Sequence, residues 1–267
     1  MPELAEVAYA CSLWNPGFNQ KIKAVHVHPT SRVYRDEDPK RFSIDLVGKT
    51  LKKSQTHGKQ MLFFFSGDYW LGLHLGMTGW LHLKEKDYSP EKHDALVLFQ
   101  ARQSLVLRDP RQFGRLQMHQ GKHPPDWWTD RPVSMLSKEF TFEILVHALR
   151  RHSKRPLKAL LLDQRYFPGM GNWMADEVLW RAHLHPNCRS PMLEGKEERK
   201  LFQQILFVIR GAMKSVGATG GDPPVKWLFH QRWKDGGTCP RSGAPLIRQE
   251  IGGRTSCWSP ALQKLRK

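Results

Sequence analysis

The residues with the most chemistry in their types and spacing open the chain. MPELAEV puts a proline directly behind Met1 and two carboxylates, Glu3 and Glu6, within one turn of each other. Removal of Met1 by an aminopeptidase, expected before a small second residue, would expose the secondary amine of Pro2. Such an amine is less basic than that of a lysine and suits attack on an aldehyde carbon, which is Schiff-base chemistry. The same residues also fit a plain helix start, since proline is favoured at the first helical position and acidic residues suit the positive end of the helix dipole. Taken alone, this stretch leaves both readings open.

Any such chemistry needs elements to position it. The first 118 residues are rich in strand patterns: KIKAVHVH (Lys21 to His28) and GWLHL (Gly79 to Leu83) alternate, while QMLFFF, ALVLF and SLVLR are short apolar runs bounded by Gly, Ser, Pro or Asp. They predict a β-sandwich behind one helix, Glu3 to about Leu13, that ends at Asn15-Pro16-Gly17. HQGKHPPDWWTDRP, within 119–134, has the prolines and polar residues of a linker, and its two tryptophans are expected to pack on something. From Ser134 the spacing turns helical, and this helical domain, residues 135–225, gives way to a Gly/Pro-punctuated terminal segment, 226–267. The fold class expected is α+β, in two domains. There is no internal repeat and no low-complexity tract.

Composition narrows the partner. Forty-two Lys and Arg against 25 Asp and Glu over 267 residues give a formal charge of +17, which points to a polyanion, by default nucleic acid. Ten tryptophans argue against a disordered basic tail. No apolar run approaches the ~20 residues of a membrane span, and the N-terminus lacks a signal-peptide pattern. A soluble, intracellular chain is expected. Four cysteines, Cys11, Cys188, Cys239 and Cys257, are too few and too scattered for a disulfide framework.

Two later stretches could carry chemistry. Leu157 to Pro186 reads as a helix, a tight turn through Pro168, Gly169 and Gly171, and a second helix from Asn172. A helix start presents unpaired amides, and glycines let a phosphate approach them. With Arg150, Arg151, Lys154, Arg155 and Lys158 nearby in sequence, this turn could grip a nucleic-acid backbone without reading bases. An ordinary helical hairpin explains the pattern about as well. The second stretch, GTCPRSGAPLIRQEIGGRTSCWSP, predicts an antiparallel hairpin with Cys239 and Cys257 at its ends.

Six motifs occur in one order: MPELAEV, THGK (Thr56 to Lys59), HLGMTGWL (His74 to Leu81), DPRQFG (Asp109 to Gly114), GMGNWMADEVLWRAHLHP and the terminal hairpin. In these the chain resembles the formamidopyrimidine-DNA glycosylase and endonuclease VIII family, from Pro2 to about Pro260. The resemblance implies a β-sandwich, a helix-two-turn-helix and a terminal finger, in an enzyme that excises oxidised bases and cleaves the resulting abasic strand. It makes Pro2 the Schiff-base nucleophile, Glu3 the carboxylate that handles protons on the sugar, and Glu6 and Glu177 residues that orient that sugar. Lys59 then contacts the phosphate beside the damaged nucleotide. Met77, Arg111 and Phe113 fill the gap left by an extruded nucleotide, as base extrusion requires. Lys158, Asn172 and Arg254 serve DNA binding, the last two as phosphate clamps. The implied setting is a monomer on damaged DNA, cytoplasmic, nucleoid-associated and of bacterial type. A binding relative that recognises damaged DNA with lyase activity alone, or no base excision, stays open.

The chain departs from the family pattern in three places. The family's finger usually carries two Cys-x-x-Cys pairs for tetrahedral zinc, but CPRS and CWSP keep one cysteine each, with Ser242 and Pro260 at the partner positions. No zinc and no other cofactor is expected. Packing of Leu246, Ile247 and Trp258 is expected to hold this zincless finger instead. Ala5 replaces a proline, and GATGGDPPVKWLFHQRW does not match the family's lesion-capturing loop, so no lesion preference carries over.

Overall fold

The computed structural model describes residues 1–35 and 37–265 and divides into two compact units. Met1–Pro2 and Glu6–Arg131 form the first; Glu3–Ala5 and Pro132–Lys267 form the second. The segment expected as a linker therefore belongs largely to the first unit, and the terminal segment groups with the helices rather than standing alone.

Helix α1 (Leu4–Ser12) is followed by a 3-10 turn at Asn15–Gly17. The first unit then has β1 (Ala24–Val27), α2 (Pro39–Leu46), β2 (Leu51–His57), β3 (Gln60–Phe65), β4 (Tyr69–His74), β5 (Trp80–Glu85), β6 (Asp94–Phe99), β7 (Gln103–Arg108) and β8 (Arg115–Gln120). Two four-stranded antiparallel sheets result, ordered β1-β6-β7-β5 and β2-β3-β4-β8. Alternation in β3 sends Met61, Phe63 and Phe65 into the core shared with Leu71, Leu73, Leu96, Leu98, Leu105 and Leu107. Helix α2 was not anticipated. Its signal was present, for Pro39 opens the helix and the Asp38 side chain accepts from the Lys40 N–H at 3.0 Å. The tryptophans of α3 (Asp126–Thr129) do pack: a Cβ on Gly72 would strike the Trp127 ring, and the Arg131 guanidinium lies 4.1 Å from the Trp128 centroid.

The second unit holds α4 (Phe142–Arg151), α5 (Leu157–Leu161), α6 (Asn172–Ala182), α7 (Gly195–Lys214), α8 (Val216–Thr219) and the hairpin β9 (Ile247–Ile251) and β10 (Arg254–Trp258). Its core joins Leu4 and Ala5 to apolar side chains of α4, α5, α6 and α7. From Trp173 to Trp180 every residue of α6 is buried, Asp176 and Glu177 included. A helix covered on all sides cannot send its charges to water, so each must find partners inside. That requirement organises the unit. Among the described residues no helix is long and apolar enough to cross a membrane.

Candidate active site

Glu3 lies at the start of α6. The Trp173 and Met174 amides donate to its two carboxylate oxygens at 2.9 and 3.2 Å, and the Leu4 N–H donates to the Gly169 carbonyl at 3.0 Å. These amides belong to the first turn of α6, where backbone donors have no helical acceptor. Gly169, at φ +93°, takes a left-handed conformation that suits glycine, and any Cβ on Gly171 would run into the Glu3 carboxyl group. Gly171 thus makes room for the Glu3 carboxylate. Pro2, the preceding residue, is half-buried, as is Glu6 on α1.

In the first unit, Lys59 sits in the β2–β3 turn after Gly58, which has φ +58°. The Arg131 Nη1 donates to the His57 carbonyl at 3.5 Å, bracing that turn. His74 accepts from the Gly76 N–H at 3.0 Å, and its pKa is lowered by burial and by the charges of Lys59, Arg35 and Arg131. Such a positive surface suits phosphate.

Met77 and Phe113 stand 42 % and 43 % exposed, unusual for such side chains, and the Arg111 guanidinium lies 4.9 Å from the Phe113 centroid. Their loops are joined by Asp109, a buried residue to which the motif resemblance gives no role. Thr78 Oγ1 donates to Asp109 Oδ1 at 2.8 Å, the Gly114 N–H donates to Oδ2 at 2.7 Å, and the Arg111 N–H donates to Thr78 Oγ1 at 3.3 Å. A Cβ on Gly76, at φ +63°, would strike the Phe113 and Gly114 backbone. The structure therefore brings all three expected wedge residues together on paired loops. The signal for Asp109 was its place at the head of DPRQFG.

Asn172 is the first residue of α6 rather than its cap, and its Nδ2 donates to the Thr255 carbonyl at 2.9 Å. Arg254, the residue before Thr255, is exposed at the hairpin turn. The two expected phosphate contacts are thus tied to each other through β10.

Three expectations need correction. Lys158 is wholly buried: its Nζ donates to the Asn172 carbonyl at 2.6 Å and pairs with Asp176 at 2.5 Å, so its ammonium is used inside the protein and cannot grip a strand. Arg155 likewise pairs with Asp163 at 2.9 Å, while Arg150, Arg151 and Lys154 remain exposed. Glu177 is also wholly buried, accepting from Arg181 Nε at 2.6 Å and from the Phe229 N–H at 3.3 Å, so it cannot touch a sugar. Burial pushes its carboxyl up to about 7, against the weaker downward pull of Arg181. Finally, the hairpin packs through Leu246 and Leu262 on Trp180, Leu228, Cys239 and Cys257, while Ile247 is exposed and Trp258 lies against the His185 ring.

Trp180 Nε1 donates to Cys239 Sγ at 3.3 Å. Burial raises the Cys239 thiol, but hydrogen bonds from Ser242, Trp180 and the backbone outweigh it and bring the group down to about 7. Burial pushes the Cys257 thiol up to about 12.

Models of the formamidopyrimidine-DNA glycosylase N-terminal domain and H2TH domain match residues 1–116 and 132–221. The chain is 32 % identical to formamidopyrimidine-DNA glycosylase of Roseiflexus sp., covering 99 % of this chain and all of that one. It is 31 % identical to that of Thermus thermophilus, over 98 % of each chain. A crystal structure of Lactococcus lactis Fpg in complex with abasic-site DNA is 28 % identical and superposes with a TM-score of 0.87, over 98 % of this chain and all of that one. The chain belongs to the formamidopyrimidine-DNA glycosylase family.

Proposed function

We propose that this protein is a DNA repair enzyme that excises damaged bases and cleaves the abasic strand it creates. The observation that carries this reading is the Glu3 carboxylate, held by two α6 amides and preceded directly by Pro2. After Met1 is removed, the Pro2 nitrogen attacks C1′ of an extruded nucleotide. The glycosidic bond breaks and the base leaves with the bonding electrons and takes up a proton; Glu3 passes the proton lost by the Pro2 nitrogen to O4′ as the C1′–O4′ bond opens, and the nitrogen lone pair closes the C1′=N iminium. The resulting iminium acidifies the 2′ proton, which permits β-elimination and then δ-elimination. Glu6 helps to orient the sugar, Lys59 meets the adjacent phosphate, and Met77, Arg111 and Phe113 fill the vacated stack. Asn172 and Arg254 contact backbone phosphate. Met1 is 53 % exposed, open to an aminopeptidase.

The protein acts as a monomer and without metal. Two thiols, one of them already accepting from Trp180 and Ser242, with a serine and a proline at the other positions, do not make a tetrahedral zinc site. Borohydride trapping on abasic-site DNA tests the central step. Processed wild-type protein is expected to form a covalent adduct, while Pro2→Gly and a form with an uncleaved extension before Pro2 bind the DNA without trapping. Equal trapping by the blocked form defeats the assignment. Glu3→Gln is expected to lose ~10² to 10⁴ in base excision, the scale of general acid or base catalysis, while keeping DNA affinity. Adduct formation without release of any damaged base would instead favour a lyase-only relative.

A further inference from the structure

A two-stranded hairpin of five-residue strands is marginal by itself, and the apolar patch beneath β9 and β10 is small. Something else must hold it. Asp176, buried in α6, receives donors from three separate segments. Lys158 Nζ of α5 lies at 2.5 Å from Oδ1, while Arg232 Nε and Nη2 lie at 3.2 and 2.6 Å from Oδ2. The Cys257 N–H of β10 donates to the same Oδ2 at 3.0 Å. Two further bonds close a ring: Lys158 Nζ donates to the Asn172 carbonyl, and Asn172 Nδ2 donates to the Thr255 carbonyl, two residues before Cys257 and beside Arg254.

We infer that Asp176 is the positioning residue of the phosphate contacts: it seats the β9–β10 hairpin on α6 so that Arg254 and Asn172 present one surface to a DNA strand. This rests on the phosphate role given above to those two residues. The buried carboxylate does with hydrogen bonds what a bound metal does in a finger. It orders a short, core-poor hairpin by tying it to a rigid helix. Arg232 and the Cys257 amide connect the two ends of the terminal segment through one carboxylate, and Lys158 transmits the same constraint to the backbone of Asn172. A charge buried only for stability would have no reason to include the residues flanking both phosphate contacts.

The test uses the full-length protein and a duplex containing a tetrahydrofuran abasic analogue, with affinity measured across a series of KCl concentrations. Arg254→Ala is expected to reduce the slope of log Kd against log salt by about one, the loss of one phosphate contact. Asp176→Asn is expected to reduce it equally, and the double variant Asp176→Asn/Arg254→Ala no further, because the first change already displaces Arg254. Arg232→Met, which leaves the Lys158–Asp176 pair in place, provides a second route should Asp176→Asn not fold. It is expected to lower the slope and to speed amide exchange selectively in residues 247–258. A variant that folds less stably but keeps the wild-type slope and hairpin protection overturns the inference. If Arg254→Ala itself leaves the slope unchanged, the phosphate role fails, and the exchange measurement still decides whether Asp176 seats the hairpin.

Discussion

At the residue scale, two carboxylates named by the same family resemblance are both buried but differ in their partners. Glu3 accepts from two amides at a helix start, whereas Glu177 accepts from Arg181 and one amide, and burial raises its carboxyl to about 7. Between ~4.3, where an unfolded chain releases it, and about 7, the folded protein favours a proton on Glu177. Its contribution to stability is complete below that unfolded value, declines as pH rises, and is gone once pH passes the folded value. Glu177→Gln carries a permanently neutral group and removes this dependence. Urea unfolding of the two proteins from pH 4 to 8 should show the variant gaining on the wild type as pH rises, by on the order of 3 kcal/mol at the upper end. Parallel stability curves would show that Arg181 keeps Glu177 ionised throughout.

At the scale of elements, the three proposed wedge residues depend on a bond network in which only the Arg111 N–H takes part. Asp109 joins the loop after β4 to the loop after β7, and its removal strands Thr78 and the Gly114 amide. Thr78 is exposed and can turn to water, but the Gly114 amide is buried, and stranding it costs about 1–3 kcal/mol. Asp109→Ala is expected to lose stability of that order, read by urea denaturation. It should also narrow the ratio of affinities for lesion-bearing and undamaged duplex, because Met77, Arg111 and Phe113 no longer share one geometry. An unchanged ratio would mean that the wedge does not rely on this carboxylate. The expected packing of the two tryptophans belongs to the same level: Trp127 lies against Gly72, Trp128 lies under Arg131, and Arg131 donates to the His57 carbonyl in the turn that bears Lys59.

At the scale of the whole molecule, a formal charge of +17 makes salt-dependent binding to a polyanion the general expectation. Metal is the separate question. Cys239 accepts a hydrogen bond from the Trp180 indole, and the hairpin is secured by Asp176 and by an apolar cluster. Purified protein should hold well below one zinc per chain by elemental analysis, and a chelator should move neither its melting temperature nor its DNA affinity. Stoichiometric zinc would require ligands from outside the hairpin and would overturn this view of its docking.

The sequence by itself determined the two-part α+β architecture and the positions of the motifs, because strand alternation, helical spacing and glycine turns are local properties of the chain. It also sufficed to place Met77, Arg111 and Phe113 in one group, since their two motifs resemble one family's in both content and order. Tertiary structure alone decided which charged residues face inward. The family resemblance gives Lys158 to DNA and Glu177 to a sugar, but α6 is covered on every side, and burial of Asp176 and Glu177 draws in Lys158, Arg232 and Arg181 as partners. Those pairings span up to 56 residues of chain. Hydrophobic periodicity reports the face a residue occupies, but not the distant cation that a buried carboxylate requires.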